Sequence, residues 1–250
     1  MKRYFENDLL ETLLHRASLV IFDMNGLIVD DERLQLESVN AALGSGILQE
    51  IGHSYAPIRI DEEYWKWNCL GKRSDQYFAL ILRERGIPAA RATIEKLLGE
   101  KNEYYEKRAP AVMKSLARPG VVELMDHIAE NGAQDTALAT SALPEEIESI
   151  LGKAGLDLKE RFGYIAHGAD IVKTKPDPEI FLLLSRRSGI PPVECLVLED
   201  SGIGVKAAAN ANMPCVAFPN EFTLGHDLSA AACVVDSLTR DARVTGARPR

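Results

Sequence analysis

The chain has 250 residues, 46% of them hydrophobic and 26% charged, with a formal net charge of -8 and a pI near 5.3. This is ordinary globular composition, with room for one large domain or for a domain carrying an insertion. The acidic balance excludes the basic footprint of a nucleic-acid binder, and a small anionic ligand would need a locally positive pocket.

The opening MKRYFENDLLETLLHRAS breaks every apolar run with polar residues, which fits neither a signal peptide nor a membrane span. A cytoplasmic protein is expected, a monomer or weak dimer with no membrane or nucleic-acid partner. Cys69, Cys195, Cys215 and Cys233 form no CxxC or Cys/His cluster and are expected as free thiols of a reducing compartment.

The first core run is SLVIFDMNGLIVDDE, residues 18–32: a buried strand, LVIF, that stops on Asp23, turns over Gly26 and continues toward further acids. A strand ending Asp-x-Asp-Gly would place two carboxylates in one mouth, and here the second is the amide of Asn25. Residues 32–109 carry long amphipathic stretches and almost no β-branched runs, so a helical insertion is expected there. Placed after a strand-end acid, it would roof the carboxyl edge of a sheet, where open α/β folds bind ligands.

From residue 110 short apolar runs alternate with helix-period segments: TALATS (136–141), RFGYIAHG (161–168), CLVLED (195–200), PCVAFP (214–219) and CVVD (233–236). Between them VVELMDHIAENG sets Val121, Leu124, Met125 and Ile128 on one helical face and closes on Gly132. This alternation predicts a parallel sheet covered on both faces, with the core in residues 1–31 and 110–238. The stretch 239–250 lacks an apolar face and is expected to fray.

Asp23, Thr140, Ser141, Lys175, Glu199 and Asp200 all fall at or near strand ends, which in a parallel sheet share one edge. Singly they have plain structural uses: a turn residue, a helix cap ahead of Pro144, a solvated loop charge, an N-cap for GIGVKAAANA. Together they would gather three carboxylates, a lysine and two hydroxyls in one crevice. Asp23, Glu199 and Asp200 are hard oxygen ligands suited to Mg²⁺, while Lys175 and Thr140 could orient a phosphoryl group approaching a carboxylate nucleophile. Gly202-Ile-Gly204-Val-Lys-Ala207 also satisfies G-x-G-x-x-A, the spacing of a dinucleotide site. Two acids stand where its pyrophosphate would lie, so a tight strand-to-helix turn is the expected use of these glycines.

These segments, FDMNGLIVDDE, LATSA, KTKPDPEIF and VLEDSGIGVKAA in that order, resemble the four motifs of the haloacid dehalogenase superfamily, in particular the subgroup with β-phosphoglucomutase and small sugar-phosphate phosphatases. The resemblance covers about residues 18–236. It implies a Rossmann-like doubly wound α/β core with an inserted four-helix cap, Mg²⁺ dependence, and an aspartyl-phosphate intermediate on a small phosphorylated metabolite. By position it implies Asp23 as nucleophile, Thr140 as motif-two hydroxyl and Lys175 as motif-three lysine. The implied metal set is Asp23, the main-chain carbonyl of Asn25, Glu199 and Asp200. In the cap, WNCLGKRSDQYF resembles the specificity loop, which with Lys101 implies substrate contacts from Gly71, Lys72, Arg73 and Lys101, beside Ser141.

Two departures matter. Residue 25 is the family's general acid/base, a role an amide cannot fill, so turnover is expected to be about 10² or more below that of a chain with aspartate at this position. So near-isosteric a change within intact motifs reads as a trapping substitution. Gln35 replaces a histidine that contacts the sugar in β-phosphoglucomutases, which favours a phosphatase over a mutase; a binding protein without catalysis is the further alternative.

Overall fold

Leu19, Val20, Ile21 and Phe22 form β1, and all four are fully buried because successive side chains enter opposite cores. Val20 and Phe22 join a cluster with Leu138, Leu196, Leu198 and Val216, while Leu19 and Ile21 join Ala137, Ala139, Val197 and Cys215 on the other face. The structure is a computed structural model and describes residues 2–50, 57–132 and 134–247.

In chain order the elements are α1 (Asp8–Arg16), β1 (Leu19–Phe22), α2 (Glu32–Leu43), α3 (Ile47–Glu50), α4 (Glu62–Tyr64), a π-helical turn (Trp65–Cys69), α5 (Ser74–Glu84), α6 (Arg91–Leu116), α7 (Val121–Asn131) and β2 (Asp135–Ala139). There follow α8 (Pro144–Leu151), β3 (Tyr164–Ala166), α9 (Glu179–Ser188), β4 (Cys195–Glu199), α10 (Gly202–Asn210), β5 (Cys215–Ala217), β6 (Cys233–Val235) and β7 (Val244–Ala247). The seven strands lie in the order β3-β2-β1-β4-β5-β6-β7, parallel from β3 through β6. The order reverses between β1 and β4, which opens a crevice at their carboxyl ends.

Residues of α1, α7 and α8 cover one face of the sheet; α9 and α10 cover the other. The expected face of α7 is the buried one, and Gly132 closes that helix in the left-handed region at φ 60°. Among the described residues the insertion consists of α2 to α6, with its own apolar cluster around Val39, Phe78, Ile81, Leu82 and Leu97. Phe222, from the loop after β5, inserts into that cluster and ties cap to core. Helix α6 runs to Leu116, past the boundary expected at residue 109.

The terminal stretch expected to fray contributes β7, paired antiparallel to β6. Its hold is the backbone ladder plus Asp236, whose carboxylate accepts from the Arg243 backbone and side chain, both at 2.9 Å, so no apolar periodicity announces it. Residues 248–250 lie outside the described residues. No described helix is long and apolar enough to cross a membrane.

Candidate active site

β1 and β4 pair with Phe22 beside Leu198, so the residues at their carboxyl ends, Asp23 and Glu199 with Asp200, leave the sheet side by side. Lys175 comes from the turn between β3 and α9, where the Lys175–Pro176 bond is cis. Its Nζ donates to Asp23 Oδ1 at 2.5 Å, Glu199 Oε1 at 2.7 Å and the Ala139 carbonyl at 3.2 Å. Those three bonds use all three ammonium hydrogens. Carboxylate oxygens of Asp23, Glu199 and Asp200 lie within 4.8 Å of one another, and all three residues are buried.

One ammonium among three buried carboxylates leaves an excess of negative charge. Burial pushes the Asp23 carboxyl up to about 7, with the Lys175 charge opposing and Glu199 adding to the rise. Burial, followed by the Glu199 and Asp23 charges, raises Asp200 well above the carboxylate range. Burial works against charge on Lys175, but its two carboxylate partners outweigh it and hold the ammonium protonated.

The turn after β4 is shaped around Glu199. Its Oε2 accepts from the backbone N–H groups of Asp200 and Ser201 at 3.0 and 3.1 Å and from Ser201 Oγ at 3.0 Å. A Cβ at Gly204 would lie 1.9 Å from this carboxyl, so the second glycine of the G-x-G spacing admits an acid rather than a pyrophosphate. Ser201, not Asp200, caps α10, accepting from Gly204 N at 3.2 Å. Asp200 Oδ2 instead accepts from Asn220 Nδ2 at 2.9 Å. Gly26, at φ +82°, lies against the same carboxylate; a Cβ there would come within 2.2 Å of Asp200 Oδ2. Arg118 fixes this corner from beneath, its guanidinium donating to the carbonyls of Gly26, Phe218 and Pro219.

Asn25 lines the cavity, and its side chain is held from behind. Nδ2 donates to both oxygens of Asp31, at 3.1 and 3.0 Å. Asp31 also accepts from Gln35 Nε2 at 2.9 Å and Tyr105 Oη at 2.7 Å. Burial raises the Asp31 pKa, opposed by its bonds from Tyr105, Gln35 and Asn25. Gln35 Nε2 reaches Glu146 at 3.0 Å as well, and Glu146 is paired with Lys101 at 3.0 Å. Beside this network Glu32, 3% exposed, accepts from the indole N–H of Trp65 at 2.8 Å; burial, then the Asp31 charge, pushes its carboxyl up to about 8.

The cavity between sheet edge and cap measures about 70 Å³ and is lined by Asp23, Asn25, Glu32, Gly71, Lys72, Thr140, Ser141, Lys175, Glu199 and Asp200, with other cap and core residues. Ser141 Oγ donates to the Gly71 carbonyl at 3.1 Å, and Thr140 Oγ1 accepts from Ala142 N at 3.0 Å. Arg73 is not at this cavity: Asp75 holds it through two bonds of 2.9 Å, and it lines an adjoining groove of about 1000 Å³. Lys101 does not line it either; it is fully buried against Glu146, which does. Sequence reasoning missed Asp31, Glu32, Glu146, Tyr105 and Asn220. The acid run Asp30-Asp31-Glu32 was the available signal, because three consecutive acids opening a helix beside a catalytic motif exceed what a cap requires.

The chain matches the haloacid dehalogenase-like hydrolase family over residues 17–212. Protein CbbY of Cupriavidus necator is 29% identical over 233 residues, covering 88% of this chain and 85% of the relative. The phosphorylated carbohydrates phosphatase of Thermotoga maritima is 28% identical over 200 residues, covering 78% and 81%. A crystal structure of an Asp-to-Asn mutant of CbbY from Rhodobacter sphaeroides, in complex with xylulose-1,5-bisphosphate, is similar at a TM-score of 0.74 and 25% identity, covering 89% of this chain and 95% of that one.

Proposed function

We propose a function from one premise: this chain belongs to the haloacid dehalogenase-like hydrolase family, and its cavity hydrolyses phosphate monoesters of small metabolites, of the sugar-phosphate class. The observation that carries this is the buried carboxylate of Asp23 at the crevice between β1 and β4, clasped by Lys175 and faced by Glu199 and Asp200. The similarity to a phosphatase of phosphorylated carbohydrates and to a structure holding a sugar bisphosphate supports the substrate class.

The residues present fit Mg²⁺. Three buried carboxylates with a single ammonium form a set of hard donors with uncompensated charge, and Asp200 accepts one side-chain hydrogen bond, from Asn220. Asp23, Asp200 and the main-chain carbonyl of Asn25 would hold the ion. Glu199, whose oxygens are engaged by Lys175 and the β4 turn, would act chiefly through its charge. When bound, the cation neutralises the carboxylates and phosphoryl oxygens that would otherwise repel each other.

Within that frame Asp23 attacks phosphorus and the ester oxygen leaves, giving an aspartyl phosphate that water then hydrolyses. Lys175 fixes the attacking carboxylate and offsets its charge. Thr140, whose Oγ1 accepts from Ala142 N, keeps its proton for a phosphoryl oxygen at the β2 tip, while Ser141 gives its own to the Gly71 carbonyl and would have to release it to join. Asn25 presents its Oδ1 to the cavity, since Nδ2 is given to Asp31, and can orient a water but cannot take or give its proton. A cavity of about 70 Å³ is smaller than the usual pocket for a metabolite, so the cap must tilt to admit substrate, with the non-reacting part of it extending toward Lys72 and the groove.

The test is phosphate release from sugar phosphates, nucleotides and phosphoglycolate, with and without Mg²⁺, combined with analysis for isomerised product. Mg²⁺-dependent release from a sugar phosphate is expected. Isomer without free phosphate would make the protein a phosphomutase; ligand binding without either product, also after Asp is restored at position 25, would make it a binding protein.

A further inference from the structure

Asn25 leaves the site without the proton carrier that the leaving oxygen and the incoming water need. The cavity lining supplies a replacement. Lys175, Glu199 and Glu146 are committed to ion pairs, and Asp200 belongs with the metal set. The Cys69 thiol and the Tyr77 hydroxyl are both pushed up to about 12 by burial, too weakly acidic for the task at neutral pH. Glu32 differs from all of these. One of its oxygens, Oε2, is taken by a neutral donor, the Trp65 indole; the other, Oε1, receives no hydrogen bond among the described residues. Because an indole N–H only donates, the proton of a neutral Glu32 sits on Oε1. Glu32 and Asp23 both line the cavity between sheet edge and cap, so a phosphoryl group on Asp23 enters a space that Glu32 borders.

We propose that Glu32 is the general acid/base of this enzyme, in place of residue 25; the proposal rests on the phosphatase reading above. As Asp23 forms its bond to phosphorus and the P–O ester bond breaks, the Glu32 proton passes to the departing alkoxide, giving the alcohol and a Glu32 carboxylate. Water, held through Asn25 Oδ1, then attacks phosphorus. Glu32 takes one of its protons, the acyl-phosphate P–O bond breaks toward Asp23, and inorganic phosphate leaves with both carboxyl groups restored. Glu32 opens α2, the first helix of the insertion, and its indole partner Trp65 lies in the same insertion, so the pair moves together and borders the Asp23 cavity only while the cap lies on the core.

Glu32→Gln keeps an oxygen for the Trp65 indole and is the informative variant. It is made in the native background and in an Asn25→Asp, Asp31→Asn background, which exchanges amide and carboxylate and preserves their hydrogen bond. On a sugar phosphate, Glu32→Gln should lower kcat by about 10² or more in the native background and by less than about threefold in the exchanged one. With p-nitrophenyl phosphate, whose leaving group needs no proton, the native-background variant should still give a burst of about one nitrophenolate per site and then stall. Equal losses in both backgrounds, or none in either, would overturn the assignment while leaving the phosphatase reading intact. Neither burst nor phosphate release in any of the four proteins would remove the phosphatase reading, and the inference with it.

Discussion

Asn25 and Asp31 form a matched pair: the amide of one donates to both carboxylate oxygens of the other, in a buried pocket closed by Gln35 and Tyr105. The amide is therefore built into its surroundings, and restoring a carboxylate at 25 alone would set a half-buried acid against the buried Asp31.

Asn25→Asp should consequently be less stable than the native chain by about 1 to 3 kcal/mol, the cost of an unmet buried polar group. The exchange Asn25→Asp, Asp31→Asn should recover most of that, and raise sugar-phosphate turnover by about 10² or more over an Asn25 chain in which Glu32 has been made Gln. Thermal unfolding and phosphate release on these variants check both halves; a single variant as stable as the native chain would show that Asp31 does not constrain position 25.

Glu32 sets the alkaline limb of the kcat profile. Burial and the neighbouring Asp31, Asp30 and Asp23 charges raise its carboxyl to about 8, the Trp65 indole opposing, so it is protonated and able to donate below that pH. Turnover of a sugar phosphate should fall about tenfold per unit above it. The sign for stability is the same: the folded state keeps a proton that the unfolded chain releases near 4.5, so stability drops as pH rises from there to about 8. Glu32→Gln should flatten that decline; titrating Tm across the window on both proteins measures it.

Gly204→Ala tests the turn after β4. Its new methyl would meet the Glu199 carboxyl at 1.9 Å, and Glu199 cannot retreat without leaving Lys175. The overpacked turn should cost about 1 to 3 kcal/mol and loosen the clasp on Asp23, lowering kcat about 10²-fold or more. Were Gly204 there for a nucleotide instead, nucleotide affinity rather than phosphate release would be lost.

Much of the fold and the site was legible in the chain. LVIF, TALA and CLVL are apolar because parallel strands are covered on both faces, and the residues at the carboxyl ends of such strands must collect at one edge, so Asp23, Thr140, Glu199 and Asp200 could be placed together without coordinates. Lys101 could not. On an isolated helix its spacing suits a solvated face, and only the docking of α6 against α8 buries it on Glu146. Asp31 and Glu32 were hidden for the same reason, since their partners Tyr105 and Trp65 are remote in sequence and belong to the cap. Strand β7 has no apolar period and depends on the edge that β6 offers it.

Metal binding can be tested without turnover. In the metal-free protein burial lifts Asp23 to about 7 and also raises Asp200 well above the carboxylate range, so near pH 6 Asp23 holds a proton that a cation must displace. Mg²⁺ affinity should rise with pH across this range. The folded state alone gathers the acids, so the ion should raise Tm, by an amount equivalent to about 2.7 kcal/mol at a hundred times Kd, and the gain at fixed Mg²⁺ should be larger at pH 8 than at pH 6. Asp200→Asn removes one of the titrating ligands and should shrink both the gain and its pH dependence. A Tm indifferent to Mg²⁺ at both pH values would leave the three acids without a cation to gather around, and their burial would then have to be explained by protonation and Lys175 alone.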